Sequence, residues 1–246
     1  MGCQKNSRIG EINVNKYGSV MKIVEYNTNK DIVVEFQDEY KHRVHTGYNA
    51  FKNGSVQNIT DRTRGGVGYM GVGPYSSITH HTFYSIWSGI IKRCYDEKAL
   101  ERNPSYRGCE LAEEWCCFQN FASWCEENYY EIEGEVMNLD KDILYKGNMI
   151  YSPETCVFVP QRINVVFTQR NRSKYDLPVG CHKHGNSIHV ACEGVHLGSF
   201  SNVEEAFKVY KEYKENSIKK LADEYKNQIP DILYEAMYNY TIDIDD

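Results

Sequence analysis

Residues 138–170 carry the spacing most suited to metal chemistry. Leu139-Asp140-Lys141-Asp142-Ile143-Leu144 alternates apolar and charged side chains, as a half-buried strand does. Tyr145-Lys146-Gly147-Asn148 has turn composition, and Met149-Ile150-Tyr151 starts a return strand. Cys156-Val157-Phe158-Val159-Pro160 then leads into a short helix, with Pro in its first turn and Asn164 one turn in. Strand, hairpin, strand and helix in about thirty residues make a ββα layout that can gather acidic and amide side chains around one divalent ion. Zinc is not expected, because none of the nine cysteines forms a C-x-x-C pair.

A second chemistry is carried by charge. The chain of 246 residues has a formal charge of −6, spread unevenly. Residues 1–75 carry 10 basic and 7 acidic side chains, residues 76–160 carry 7 and 14, and residues 161–246 carry 11 and 13. Within 161–183, Arg162, Arg170, Arg172, Lys174 and Lys183 face only Asp176. Local charge rather than the total decides whether a phosphate backbone is attracted, so this stretch is a candidate nucleic-acid contact. The bland alternative is a solvated basic loop.

These candidates must be positioned by α+β architecture. Val20–Tyr26 and Asp31–Phe36 are β-branched runs flanking the turn Asn27-Thr28-Asn29-Lys30, and Tyr40–Val44 gives a third strand. Together they predict a small N-terminal β-barrel over 1–62. Arg64–Pro74 holds five glycines in eleven residues; lacking a Lys-Ser/Thr ending and a following helix pattern, it reads as part of a linker over 63–78 rather than a phosphate cradle. Residues 79–170 form a helical lead-in plus the ββα unit. Phe83, Ile86, Trp87, Ile90, Ile91 and Cys94 make one apolar face, and Trp115, Phe118, Phe121, Ala122 and Cys125 a second. Both are core stripes, and His80-His81 sits where the first helix begins.

Residues 171–246 predict a three-stranded sheet around Val179–Cys181, Ser187–Cys192 and Val195–Phe200, with turns at Gly185-Asn186 and Glu193-Gly194. Ser201-Asn202-Val203-Glu204 reads as a capping box opening a helix whose face is Val203, Ala206, Phe207, Tyr210 and Tyr213. No apolar run approaches the roughly 18 residues needed to cross a bilayer, and the N-terminus lacks a signal-peptide apolar core. The expectation is a soluble cytoplasmic protein with reduced thiols and no membrane partner.

Two modules resemble known families. Tyr84-Ser85-Ile86-Trp87-Ser88-Gly89-Ile90-Ile91-Lys92-Arg93-Cys94-Tyr95, Glu114-Trp115 and Phe118-Gln119-Asn120-Phe121 resemble the helical lead-in of bacteriophage HNH homing-endonuclease-like proteins. So do Leu139-Asp140-Lys141-Asp142, Asn148, Tyr151–Cys156 and Arg162-Ile163-Asn164. Gly180 to Tyr210, with Leu197-Gly198-Ser199-Phe200 and Glu204-Glu205-Ala206, resembles the Apetala-type DNA-binding domain of plant ethylene-response factors. In phage and mobile-element proteins that domain accompanies HNH modules.

The resemblance implies a double-stranded DNA partner, Mg2+ or another divalent cation at Asp140 and Asn164, and work in the cytoplasm of an infected bacterium. It also exposes departures. Lys141 stands where the family's general base would be His, and an ordinary Lys is protonated at neutral pH. Asp142 or His81 would then be the substitute base, with Lys141 a phosphate contact. The sheet offers His182, Lys183, His184, His189 and His196 where the family reads the major groove with Arg and Trp. Imidazoles lack the bidentate fork that recognises guanine, so sequence preference would be weak. The leading reading is a DNA-binding protein with a degenerate HNH-like site. The alternatives are an active magnesium-dependent endonuclease, or a phage interaction protein that inhibits a host defence or regulatory protein. The acidic middle and 20 tyrosines suit the last of these.

Overall fold

A computed structural model describes residues 8–168 and 177–245, which fold as mixed α and β structure in two units, Met1–Glu127 and Asn128–Asp246. The first unit opens with strands β1 (Ile12–Val14), β2 (Val20–Thr28), β3 (Asp31–Phe36) and β4 (Arg43–Thr46), antiparallel in the order β1-β2-β3-β4. Alternation does the sorting: Met21 and Ile23 on β2 and Ile32, Val34 and Phe36 on β3 are fully buried, and helix α1 (Tyr48–Lys52) adds Phe51. The strand expected at Tyr40–Val44 is β4, which starts only at Arg43. Asp38 Oδ1 accepts from the amides of Tyr40 and Lys41, 3.1 Å each, and Lys41 takes a positive φ of 49°, so 38–41 is a turn.

The expected barrel is an open sheet. β1 and β4 are its two edges and do not pair, because strands of three and four residues offer too few edge groups to close four strands on themselves. A buried polar knot pins the following segment to the sheet instead. Asn15 Nδ2 donates to Asp61 Oδ2 (2.6 Å) and Val56 O (3.0 Å), and Ser19 Oγ donates to Asp61 Oδ1 (2.5 Å).

The glycine-rich run packs inside the same unit, against helix α2 (His81–Tyr95). A Cβ on Gly68 would lie 2.5 Å from Ile91 Cδ1 and 2.8 Å from Trp87, and Gly65 (φ +56°) closes equally on Ile91. Glycine is therefore required here by close approach rather than by looseness. Helix α3 (Glu97–Arg102), the short strand β5 (Glu110–Leu111) and helix α4 (Phe118–Asn128) follow. Trp87, Ile90, Ile91 and Cys94 of α2 are buried, as are Trp115, Phe118, Phe121, Ala122 and Cys125 of the second stripe. Trp87 Nε1 donates to Trp115 O at 2.7 Å, and the buried Gln119 amide donates to Met70 O (3.1 Å) and Tyr75 O (2.9 Å), tying 70–75 to α4.

The second unit contains β6 (Met137–Asp140), β7 (Ile150–Tyr151), β8 (Val157–Pro160), α5 (Gln161–Thr168), β9 (Cys181–His184), β10 (Ser187–Cys192), β11 (Val195–Phe200), α6 (Val203–Glu224) and α7 (Asp231–Tyr238). Helix α6, 22 residues and about 33 Å long, serves two cores. Its first half buries Ala206, Phe207 and Tyr210 with Cys181, Ile188, Val190 and Cys192 of the three-stranded sheet. Its second half buries Ile218, Leu221 and Ala222 with Ile143, Val157, Val159, Ile163, Leu233 and Met237. Asn202, not Ser201, caps it: Asn202 Oδ1 accepts from the amides of Glu204 (2.8 Å) and Glu205 (3.1 Å). Asn227, at φ 68°, lies in the turn that separates α6 from α7.

Candidate functional site

The ββα order is present, with a different register from the one its alternation suggests. β6 ends at Asp140 and pairs antiparallel with β8, Asp140 opposite Val157 and Met137 opposite Pro160; residues 141–147 are bends and turns rather than a continuing strand. The strand stops because Asp140 caps the chain reversal. Its Oδ1 accepts from the amides of Asp142 (2.8 Å) and Ile143 (2.7 Å), which sends the backbone away from the ladder.

Asp140 is 8% exposed, and its carboxyl is pushed up to about 6 by burial and by the neighbouring Asp142 carboxylate, against the two amide bonds that pull the other way. Lys141, equally buried, donates from Nζ to Asn148 O (2.6 Å) and pairs with Asp142 Oδ2 (3.3 Å). Asn148 returns the grip, donating from Nδ2 to Lys141 O (2.6 Å) and Ile150 O (2.7 Å). Lys141 and Asn148 thus clasp the two ends of the 141–150 loop. A protonated amine held by a carbonyl and a carboxylate has no lone pair with which to act as a base. Asn148 is the residue whose clasping role sequence reasoning did not assign, since its turn composition gave no hint of a partner seven residues back.

Asn164 sits half-buried on α5, whose Ile163 is fully buried in the core shared with α6. His81 belongs to the first unit, exposed at the start of α2. Its neighbour His80 receives the contacts: Nδ1 lies 2.8 Å from Thr79 Oγ1 and Nε2 lies 3.8 Å from Glu126 Oε1. Among the described residues, no group of three or more His, Cys, Asp and Glu side chains converges as a metal ligand set. No disulfide joins the eight described cysteines, all of them buried, and burial pushes the Cys156 thiol up to about 12.

The candidate DNA contacts divide into three groups. Arg162 is paired with Glu224 Oε2 at 2.7 Å and lies over the Tyr225 ring, so part of its charge is neutralised within the unit. Arg170, Arg172 and Lys174 lie outside the described residues. The histidines of the sheet come together.

The three strands run β11-β10-β9, with His182 opposite His189, His189 opposite Ser199, and Ala191 opposite His196 after a bulge. Cys181, Ile188, Val190 and Cys192 point into the core with α6, so the period of two turns His182, His184 and His189 to the other face. The His184 and His189 rings stack at 4.5 Å between centroids, and His196 meets His189 edge-on at 5.4 Å. Burial and the two flanking imidazoles lower the pKa of His189. Lys183 is exposed and sits opposite Ile188.

Beside His182 opens a cavity of about 130 Å³ bounded by Gly180, Cys192, Glu193, Tyr210 and Lys214. Lys214, 6% exposed, donates to Glu193 Oε1 (2.8 Å), and Ser217 Oγ donates to Glu193 Oε2 (2.7 Å). Lys214 was not assigned from the sequence, where the stripe was carried to Tyr213; the spacing 207, 210, 214, 218, 221 along α6 is the signal that points it inward. No family model, curated protein or solved structure matches this chain.

Proposed function

We propose that the chain binds duplex DNA through the outer face of β9–β11, and that its ββα unit is a scaffold whose catalytic position has lost its base. The observation that carries the reading is the composition of that face: His182, His184, His189 and His196 stand on its three strands, and none of the strands carries a carboxylate. Strands free of acidic side chains suit a phosphate backbone, and the helix behind them lets the strands present as a unit. The resemblance to phage HNH proteins carrying Apetala-type domains supports the same reading.

Cleavage would be weak or absent because Lys141 is committed to Asn148 and Asp142. Asp140 and Asn164 are the residues that would hold Mg2+, which supplies charge stabilisation to a phosphodiester when bound. The raised Asp140 carboxyl fits that role, since a cation would relieve the burial and the repulsion from Asp142. The test is an electrophoretic shift with random duplex, with and without magnesium. Retarded, intact DNA whose retardation fades with salt is expected. Absence of a shift at low salt overturns DNA binding, and rapid magnesium-dependent cleavage overturns the scaffold reading.

A further inference from the structure

The histidines of the sheet do more than supply hydrogen bonds. Three of the rings form a continuous contact file across all three strands: His184 on β9 against His189 on β10 at 4.5 Å, and His189 against His196 on β11 at 5.4 Å. His182 lies directly across the ladder from His189. Rings at these separations pack comfortably when neutral and repel one another when charged, a repulsion that an anion laid across them would offset.

Among the described residues, the three strands offer no such anion. The strands hold no Asp or Glu, and Lys183 adds only positive charge. Glu193, at the β10–β11 turn, is held by Lys214 and Ser217 of α6. Helix α6 packs on the opposite face, where it also pairs Lys211 with Glu215 at 3.4 Å. Cys181 and Cys192 are buried on that same opposite side, with thiols raised by burial. The missing counter-charge must therefore come from outside the sheet.

We propose that this histidine file is a proton-coupled phosphate-binding surface, which takes the sugar-phosphate backbone of duplex DNA as imidazolium and without base preference. The proposal rests on the duplex-binding reading above and adds to it the contacted moiety and the control by pH. The lowered pKa of His189 agrees with it, because a ring that stays neutral in the free protein leaves a proton to be taken up on binding. Each proton bound with the DNA makes affinity rise as pH falls, and each new phosphate contact steepens the salt dependence by about 0.9 in log–log slope.

The experiment is fluorescence anisotropy of the full chain with two duplexes of unrelated sequence, at pH 8.0, 7.0 and 6.0, over a salt series. At fixed salt the Kd at pH 6.0 should be at least tenfold lower than at pH 8.0 for both duplexes. The salt slope should be steeper at pH 6.0 by about 1 to 3, one to three phosphate contacts at about 0.9 each. The triple variant His184→Gln, His189→Gln, His196→Gln should lose this pH dependence, giving the same Kd at pH 6.0 as at pH 8.0. Should that variant fold poorly by circular dichroism, histidine NMR titration of the native chain decides, since saturating duplex should raise the ring midpoints. Affinity that is flat from pH 6.0 to 8.0, a triple variant that keeps the pH dependence, or unmoved midpoints overturns the proposal and leaves duplex binding standing. A strong preference between the two duplexes overturns the backbone assignment. Absence of binding at every pH overturns the duplex reading itself.

Discussion

Replacing Asp140 by Asn should stabilise the second unit at neutral pH. The Asn side chain keeps an oxygen at the position that accepts from the Asp142 and Ile143 amides at 2.8 and 2.7 Å, so the turn retains its cap. What disappears is a negative charge that burial and Asp142 both oppose, a cost expressed in a carboxyl pushed up to about 6. Relative to an ordinary aspartate near 3.9, that is worth roughly 3 kcal/mol at about 1.4 kcal/mol per tenfold. The opposing pull of the two amide bonds is already contained in that net shift, so a gain of about 1–3 kcal/mol is expected. The sign follows from proton binding: between pH 4 and 6 the folded chain holds the Asp140 proton more tightly than the unfolded chain, so wild-type stability falls as pH rises through that window.

The difference between variant and wild type should therefore be small at pH 4, open through pH 6 and level off by pH 7. The three tryptophans lie at 87, 115 and 124, in the first unit, so urea unfolding is best followed by far-ultraviolet circular dichroism. Hydrogen exchange of β6 and β8 peptides localises the effect. A variant that loses more than 1 kcal/mol at pH 8 would refute the reasoning and make Asp140 a stabilising anion, and one that gains equally at pH 4 and pH 8 would refute it by showing that the charge is not the cause.

Lys141→His should confer magnesium-dependent nicking, because a neutral imidazole can accept a proton at pH 7 where the clasped ammonium cannot. Plasmid relaxation measures it; the double variant with Asp140→Ala should be inactive, and brisk cleavage by wild type that slows in Lys141→His contradicts the degenerate-site reading. Gly68→Ala should destabilise the first unit by about 1–3 kcal/mol, since its Cβ would lie 2.5 Å from Ile91 Cδ1 and 2.8 Å from Trp87. Tryptophan fluorescence in urea reads this directly, and an unchanged midpoint would mean that the glycine run does not bear on α2.

The sequence by itself determined which segments become helix and strand wherever one periodicity ran unbroken. The stripes Trp87–Cys94 and Trp115–Cys125, the β2–β3 hairpin and the strands Ser187–Cys192 and Val195–Phe200 were legible, because burying one face of each element demands that spacing and no other, whereas the strand expected around Val179–Cys181 runs Cys181–His184. Tertiary structure decided where local pattern and backbone chemistry competed. Alternation alone carries 139–144 as a strand, but an Asp140 side chain that satisfies two amides ends it after Asp140 and hands the pairing to β8, seventeen residues along the ladder partner at Val157. Five glycines read as slack, and packing made four of them tight, Gly65 and Gly68 against Ile91 and Trp87 and Gly71 and Gly73 against Cys117 and Gln119. The barrel stayed open because its outer strands are short, a property of pairing that no single strand displays. At the site, residue types were legible and relations were not. Lysine at 141 announced a missing base, but only the fold brought Asn148 and Asp142 to its amine. Four histidines on three strands could be counted from the chain, while their contact in one file depends on register, which a one-residue slip would turn to the opposite face.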